Sequence, residues 1–153
     1  MNKPMKTALL TIGLAQFIKI PLRMRSTGKW DWNVFFETGG MPSSHSAGVS
    51  ALATYIALSR GIKTVDFALS TVFGLIVMYD AQGVRRQAGE LGLKLNELEE
   101  EVERLAGQKD RHYHDRKSAR IRERLGHQPI EVVGGSLLGM ITGALSYLLF
   151  EKK

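Results

Sequence analysis

Hydrophobic residues along this chain are concentrated in four segments that are separated by polar stretches. The segments cover residues 7–22, 44–58, 65–84 and 132–150. The fourth has no charged residue, and the third has Asp80 near its end, whereas the first two are marginal alone. A helix that crosses a bilayer needs roughly 20 predominantly apolar residues. The pattern therefore predicts an all-α integral membrane protein with a bundle of about four transmembrane helices.

A soluble bundle with buried helices is the alternative interpretation of this pattern. The fourth segment argues against it, because that segment is hydrophobic on every face. It also carries Gly135, Gly139 and Gly143 at four-residue spacing, and small residues so spaced let helix backbones approach closely in lipid. Before the second segment, four aromatic residues lie beside Lys29, as is typical of a membrane interface, although core aromatics would give the same pattern. These aromatic residues are Trp30, Trp32, Phe35 and Phe36.

A charged insert at residues 87–125 separates the third and fourth segments. Its apolar residues recur at alternating steps of four and three, which predicts a coiled-coil seam of about two heptads. The seam consists of Leu91, Leu95, Leu98, Val102 and Leu105. Gly107 is predicted to end this helix. We expect the insert to form a helical hairpin or coiled coil, which packs against itself or joins a second subunit in a homo-oligomer. The rest of residues 1–153 is expected to form one domain.

The formal net charge of +6 suits an anionic partner such as lipid headgroups, a phosphate ligand or nucleic acid. Nucleic acid is not favoured, because glutamates beside the seam would repel its phosphates. The chain has no cysteine, which excludes disulfides and thiolate chemistry. Lys3 and Lys6 before an apolar run resemble a signal peptide. However, no cleavage site follows and Lys19 interrupts the run, so we expect this segment in the mature protein.

Polar residues lie at the segment ends that alternate membrane crossing would bring to one side. They are Lys19 at the end of the first segment, His45 at the start of the second, Arg85 and Arg86 after the third, and His127 and Glu131 at the start of the fourth. Ionisable groups near a membrane interior are costly and usually functional. We therefore expect these residues to form one site.

The local sequences at two of these ends predict helix N-termini. "MPSSHS" predicts a turn followed by a helix that Ser43 or Ser44 caps. "GHQPIE" predicts a second start, with Pro129 in the first turn and Glu131 near the positive end of the helix dipole. Free backbone N–H groups at helix starts bind phosphate. Lysine and arginine side chains at the neighbouring segment ends would add cationic donors for the same anion.

Two histidines would then face the bound phosphate. One neutral imidazole can attack phosphorus, and the other can protonate the leaving oxygen. Glu131 follows His127 by one helical turn and can accept its other ring N–H, which fixes the tautomer. Taken singly, each signal also has a structural explanation. His45 could be a surface residue at a helix start, and Arg85 and Arg86 could be positive-inside anchors.

Together these motifs resemble the type 2 phosphatidic acid phosphatase (PAP2) superfamily, which also includes vanadium-dependent haloperoxidases. "PSSH" at 42–45 resembles its Pro-Ser-Gly-His motif. "HQPIEVVGG" at 127–135 resembles its His, three residues, Asp, and a following small-residue helix. "GGMPSSHSA", "MYDAQGVRRQAGE" and "LGHQPIEVVGG" closely resemble a divergent branch of membrane proteins related to acid phosphatases and haloperoxidases. The resemblance covers nearly the whole chain apart from the insert.

The resemblance implies a role for each residue of the predicted site. His127 would be the nucleophile that forms a phosphohistidine, Glu131 would orient its ring, and His45 would be the general acid. Ser43 and Ser44 would bind the phosphate, with Ser44 in place of the family's glycine.

Three positions depart from the family pattern. Lys19 is present, but Ser-Thr at 26–27 stands where the family has Arg-Pro. Glu131 replaces an aspartate, and Ile121 stands where the family has an arginine six residues before the nucleophile. Another arginine would therefore have to bind the phosphate, and the candidates are Arg85, Arg86, Arg120 and Arg122.

These features predict a membrane phosphatase that acts on a lipid phosphate monoester or diphosphate. Candidate substrates are an isoprenoid diphosphate, phosphatidic acid and phosphatidylglycerophosphate, and the mechanism requires no metal or organic cofactor. One alternative is a non-catalytic membrane protein that binds phospholipid headgroups, or a partner through its coiled coil. A haloperoxidase with bound vanadate is less favoured, because a membrane-embedded site suits lipids. The motif-bearing loops hold 14 Lys and Arg against 6 on the other side, so the positive-inside rule predicts a cell-membrane protein with a cytoplasmic site.

Overall fold

The structure, a computed structural model, describes residues 2–37, 39–105 and 128–151. Every regular element in these ranges is helical. The α-helices are α1 (Lys3–Thr27), α2 (Ser44–Arg60), α3 (Val65–Gln82), α4 (Val84–Leu105) and α5 (Pro129–Phe150), and a short 3-10 helix, Trp32–Phe36, precedes α2. The prediction of an all-α protein is confirmed. Helix α4 begins three residues before the predicted insert and is described as far as Leu105. Gly107, the predicted end of this helix, and the rest of residues 106–127 lie outside the described ranges.

Three stretches of helix are long and apolar enough to cross a membrane: α1, α5, and the stretch Val65–Val102 that joins α3 to most of α4. Helix α1 has 25 residues and α5 has 22. Helix α2 has only 17 residues. At 1.5 Å per residue it is ~25 Å long, a little less than the ~30 Å hydrocarbon core of a bilayer. The predicted membrane bundle is confirmed, with α2 as its shortest helix.

Helix α2 lies at the centre of the bundle, where it contacts α1, α3 and α5. The side chains that it buries are mostly small, including Ser46, Ala47 and Ala51. The outer helices instead expose large apolar side chains such as Leu10 and Val65, which are each 72% exposed in the isolated chain. An apolar surface of this extent marks contact with lipid. Because other helices surround α2, it needs less hydrophobicity than they do, and its apolar signal in the sequence is correspondingly weak.

Three glycines let α5 lie directly against α2. A Cβ atom added at any of them would collide with a carbonyl oxygen of α2 or of its N-cap residue; at the third, that distance would be 2.7 Å. The contacting pairs are Gly135 with Ser43, Gly139 with Ala47 and Gly143 with Ala51. Both partners advance by four residues in the same direction, so the helices are parallel. The predicted glycine spacing thus serves a close backbone contact, as in other membrane helix pairs.

Hydroxyl groups join α1 to α5 in the opposite sense. The Thr7 and Ser146 hydroxyls lie 2.6 Å apart, and the Thr11 hydroxyl donates to Thr142 Oγ1 at 2.9 Å. Lys3 Nζ donates to the Phe150 carbonyl oxygen at 2.9 Å, which brings the start of α1 to the end of α5. The two helices are therefore antiparallel. The alternating arrangement assumed from the sequence is present, and it puts the end of α1 beside the starts of α2 and α5.

We expect Gly139→Ala to destabilise the bundle by about 1–3 kcal/mol, because the new methyl group would overpack against the α2 backbone. Gly13→Ala is the matched control, since no atom lies within 4 Å of a Cβ added there. Alanine should stabilise that helical position by about 0.5–1 kcal/mol. Thermal unfolding of the two variants in detergent measures both effects. Equal melting temperatures for the two variants would contradict the close contact.

Candidate functional site

The N-terminus of α2 is capped by Ser43. Its side-chain oxygen accepts hydrogen bonds from the Ser46 backbone N–H at 3.3 Å and from the Ser46 hydroxyl at 3.1 Å. Ser43 and Ser46 are fully buried, and Ser44 is 5% exposed. The predicted helix start is confirmed, with Ser43 rather than Ser44 as the cap. The Ser43 oxygen is thus engaged in shaping the helix start.

The N-terminus of α5 is capped by a hydrogen bond between its N-cap residue and a side chain of its first turn. Glu131 Oε2 accepts a hydrogen bond from the Gln128 backbone N–H at 3.1 Å, and Pro129 occupies the first turn. Proline suits that position because the N–H group that it lacks would have no partner within the helix. A carboxylate in the first turn also interacts favourably with the helix dipole. The second predicted helix start is therefore confirmed.

A backbone hydrogen bond joins these two helix starts. The Ser43 N–H donates to the Glu131 carbonyl oxygen at 3.0 Å. The cap of α2 is thereby fixed to the first turn of α5, so the two N-termini lie side by side. Each end of this kind carries a partial positive charge of about +0.5 and presents backbone N–H groups without helical partners. Two such ends together make a favourable place for an anion.

Lys19 is buried near the same place, with only 4% of its surface exposed. Its Nζ donates to the Gly39 carbonyl oxygen at 2.7 Å, and the acidic groups that interact with it electrostatically are Glu131 and Glu37. An ammonium group has three N–H donors, so this bond occupies one of them. The predicted position of Lys19 beside the α2 and α5 starts is thus observed.

Two glycines lie in the loop that precedes α2, and Lys19 donates its hydrogen bond to this loop. Gly39 and Gly40 have φ angles of 95° and 80°, which side chains with a Cβ rarely adopt. Their conformation turns the Gly39 carbonyl oxygen toward Lys19. Both glycines belong to the motif "GGMPSSHSA", whose resemblance to the family implies no structural role for them. The signal for them was the Gly-Gly pair itself, which is typical of a turn that needs positive φ.

The remaining predicted site residues differ in how far the structure describes them. His45 is half-buried in the first turn of α2. Arg85 and Arg86 lie at the start of α4, directly after α3, but their side chains are outside the described part of the structure. His127, the proposed nucleophile, is also outside the described residues and directly precedes the α5 cap in the sequence. Among the described residues, no three His, Asp or Glu side chains are grouped as a metal site would require.

The sequence of the chain is similar to those of known proteins along almost its whole length. The sequence profile of the Divergent PAP2 family matches residues 1–142. The chain belongs to the Divergent PAP2 family. The uncharacterized membrane protein YuiD of Bacillus subtilis (strain 168) is 43% identical over 150 residues, which are 95% of each chain. No solved structure is significantly similar. The predicted membership of a divergent PAP2 branch is therefore confirmed, and this member is a phosphatase-related membrane protein.

In this Divergent PAP2 protein, we expect Ser43→Ala to cost more stability than Thr64→Ala, which removes the cap of α3 at the opposite end of the bundle. Thr64 Oγ1 accepts the Phe67 N–H at 3.3 Å and donates to the Gly61 carbonyl oxygen at 2.8 Å, so each substitution removes one cap, worth about 1 kcal/mol, and one further hydrogen bond. The further bond should matter more in Ser43→Ala, because the Ser46 hydroxyl that loses its acceptor is fully buried, at a cost of about 1–3 kcal/mol, whereas the bond of Thr64 to Gly61 is only part-buried. Melting temperatures in detergent measure the difference. An equal loss in both variants would contradict a larger cost for the buried Ser43–Ser46 pair.

Proposed function

We propose that this protein is a membrane phosphatase that hydrolyses a lipid phosphate monoester or diphosphate through a phosphohistidine. The observation that carries the proposal is the bond from Ser43 N–H to the Glu131 carbonyl oxygen, which holds two helix N-termini together. The buried ammonium group of Lys19 lies at the same end. Paired helix starts with a cation are well suited to bind a phosphate group. Membership of a PAP2-related family supports the same chemistry.

The proposed reaction has two steps. A ring nitrogen of neutral His127 gives its electron pair to phosphorus, while the P–O bond to the leaving group breaks and the leaving oxygen takes a proton from His45. Water then attacks the phosphohistidine and gives its proton to His45. The P–N bond breaks, which releases inorganic phosphate and restores both histidines. Glu131 would orient His127, and Lys19 with Ser44 would hold the phosphate oxygens, together with Arg85 or Arg86.

A lipid is the proposed substrate because the helix starts open at one end of a membrane bundle. The outer helices expose apolar side chains that contact lipid, so a phosphate there can be attached to a chain that stays in the bilayer. Three lipids have such a phosphate on a hydrophobic chain: an isoprenoid diphosphate, phosphatidic acid and phosphatidylglycerophosphate. The proposed partners of the site are thus membrane lipids and a lipid phosphate.

Purified protein in detergent should release inorganic phosphate from at least one of these three lipids. His127→Ala should abolish the release and any acid-labile phosphoenzyme, because it removes the nucleophile. His45→Ala should slow the release by about 10²–10⁴-fold for lipid substrates. The loss should be far smaller with p-nitrophenyl phosphate, whose leaving group departs without protonation. His112→Ala, within the charged insert, is the control and should keep full activity.

Two results would contradict the proposed roles. Substantial activity in His127→Ala would exclude His127 as the nucleophile. A phosphoenzyme that carries its phosphate on His45 would show that the two histidines have the opposite roles. Binding of anionic lipid vesicles without phosphate release from any substrate would favour the non-catalytic headgroup-binding alternative.

Lys19→Met should raise KM for the lipid phosphate or lower kcat, because it removes a buried cation next to the two helix starts. Lys6→Met is the matched control on the same helix. It lies 13 residues away, or about 20 Å along α1. We expect the control to keep wild-type kinetics in the phosphate-release assay. Equal changes in KM and kcat for the two variants would show that the kinetics depend on the total charge of the protein rather than on Lys19 at the site.

We further propose that the protein lies in the cell membrane with the site facing the cytoplasm, as the 14 Lys and Arg on the motif side favour. The chain has no cysteine, so single-cysteine variants report one position each. Lys63→Cys, in the loop at the opposite end, should react with an impermeant thiol reagent added to intact cells. Arg104→Cys, exposed on α4, should react only after the cells are opened. The reverse labelling pattern would put the site outside.

A further inference from the structure

Helix α4 continues α3 beyond the length that a membrane can cover. Hydrogen bonds from Gly83 N–H to the Tyr79 carbonyl oxygen at 2.8 Å, and from Gln87 N–H to the Gly83 carbonyl oxygen at 3.0 Å, carry the helix across the junction. The stretch Val65–Val102 has 38 residues. It is ~57 Å long, against a hydrocarbon core of ~30 Å. Because α3 alone is long enough to cross, α4 extends out of the membrane at the motif end, and α3 is the only described helix that it contacts.

The leucine seam of α4 is an exposed apolar face in the described part of the structure. Leu91, Leu95, Leu98 and Val102 are between 51% and 67% exposed. Asn96, on the opposite side of the helix, is buried. Among the described residues of α4, the heptad side is therefore the exposed one. Exposed leucines at heptad spacing outside a membrane are a surface that needs a partner.

We propose that this seam pairs with the same seam of a second copy, as a parallel two-stranded coiled coil. Two copies inserted with the same topology send α4 out of the same side of the membrane, so their helices run in the same direction. Assigning Leu91 and Leu98 to d positions puts Leu95 and Val102 at a positions. Leucine at d with a β-branched residue at a favours two strands, and Val102 at an a position fits this preference, whereas Leu95 does not.

Charges beside the seam support the parallel, in-register arrangement. Lys94 occupies a g position and Glu99 occupies the e position of the next heptad, and both are exposed. In a parallel coiled coil, a g residue faces the e residue five positions later in the partner helix. Lys94 of each copy would therefore meet Glu99 of the other, and symmetry forms this opposite-charge pair twice.

The same charges disfavour a seam that lies on lipid instead. Helices that bind at membrane interfaces are rich in Lys and Arg, which attract anionic lipid. Helix α4 instead carries Glu99 and Glu101 beside the seam, at e and g positions, and further glutamates on its outward side. Anionic lipid would repel this surface, whereas a second copy offers Lys94 to it.

Oxidative cross-linking of single-cysteine variants in native membranes tests the arrangement. Leu91→Cys and Leu98→Cys should each give a covalent dimer on a non-reducing gel, because every a or d residue meets its own copy in a parallel, in-register pair. Glu97→Cys, at an outward c position, is the control and should stay monomeric. An antiparallel pair would link at most one of the two seam variants, and a seam on lipid would link neither. Either of these outcomes overturns the proposal.

Charge exchange tests the register. In the Leu98→Cys background, Lys94→Glu or Glu99→Lys alone should lower the dimer fraction, with an association constant reduced about two- to tenfold by the two like-charge contacts. The double exchange Lys94→Glu/Glu99→Lys restores opposite charges and should return the dimer fraction to its starting value. A double variant that dimerises no better than the single variants would overturn the pairing of Lys94 with Glu99.

Discussion

The backbones of α2 and α5 touch at three successive turns. This is possible because α5 has glycine at each position that faces a carbonyl oxygen of α2 or of its N-cap residue. This contact fixes how far the two parallel helices can slide. A shift of α5 by one residue would press Ser136 or Met140 against the same oxygens. The relative height of the two N-termini therefore follows from glycine spacing, and the Ser43–Glu131 backbone bond forms at the end of that alignment.

A short, small-residue helix can lie inside a membrane bundle only if its neighbours provide the apolar surface. Helix α2 has serine and alanine where a lipid-facing helix would have leucine. Its neighbours α1 and α5 are joined to each other through Thr7, Ser146, Thr11 and Thr142, so hydroxyl groups are hydrogen-bonded inside the bundle rather than exposed to lipid. Such bonds between membrane helices contribute modestly, at about 0.6–2 kcal/mol each. Close packing, rather than hydrophobicity, thus holds α2 in place.

Most of the local structure could be predicted from the sequence, and part of the site could not. Helix starts at Ser43 and Pro129 depend on residues within one turn, so their sequence signals suffice. The glycine spacing predicted a close helix contact but not the partner, although the serine and alanines at 43, 47 and 51 follow the same spacing. The bond between Lys19 and Gly39 spans 20 residues and depends on the path of a loop, which periodicity does not encode.

The charges at the paired helix starts explain how a polar site can lie at the end of an apolar bundle. The two helix ends together carry about one positive charge, Lys19 adds another, and Glu131 offsets one of them. Without a ligand, the Gly39 carbonyl oxygen and Glu131 stabilise the buried ammonium group, so its burial has local compensation. The positive charge that remains is distributed over backbone N–H groups that cannot move away. A bound phosphate would therefore meet donors already fixed by the α2–α5 contact, and this is why packing far from the proposed chemistry would govern phosphate binding.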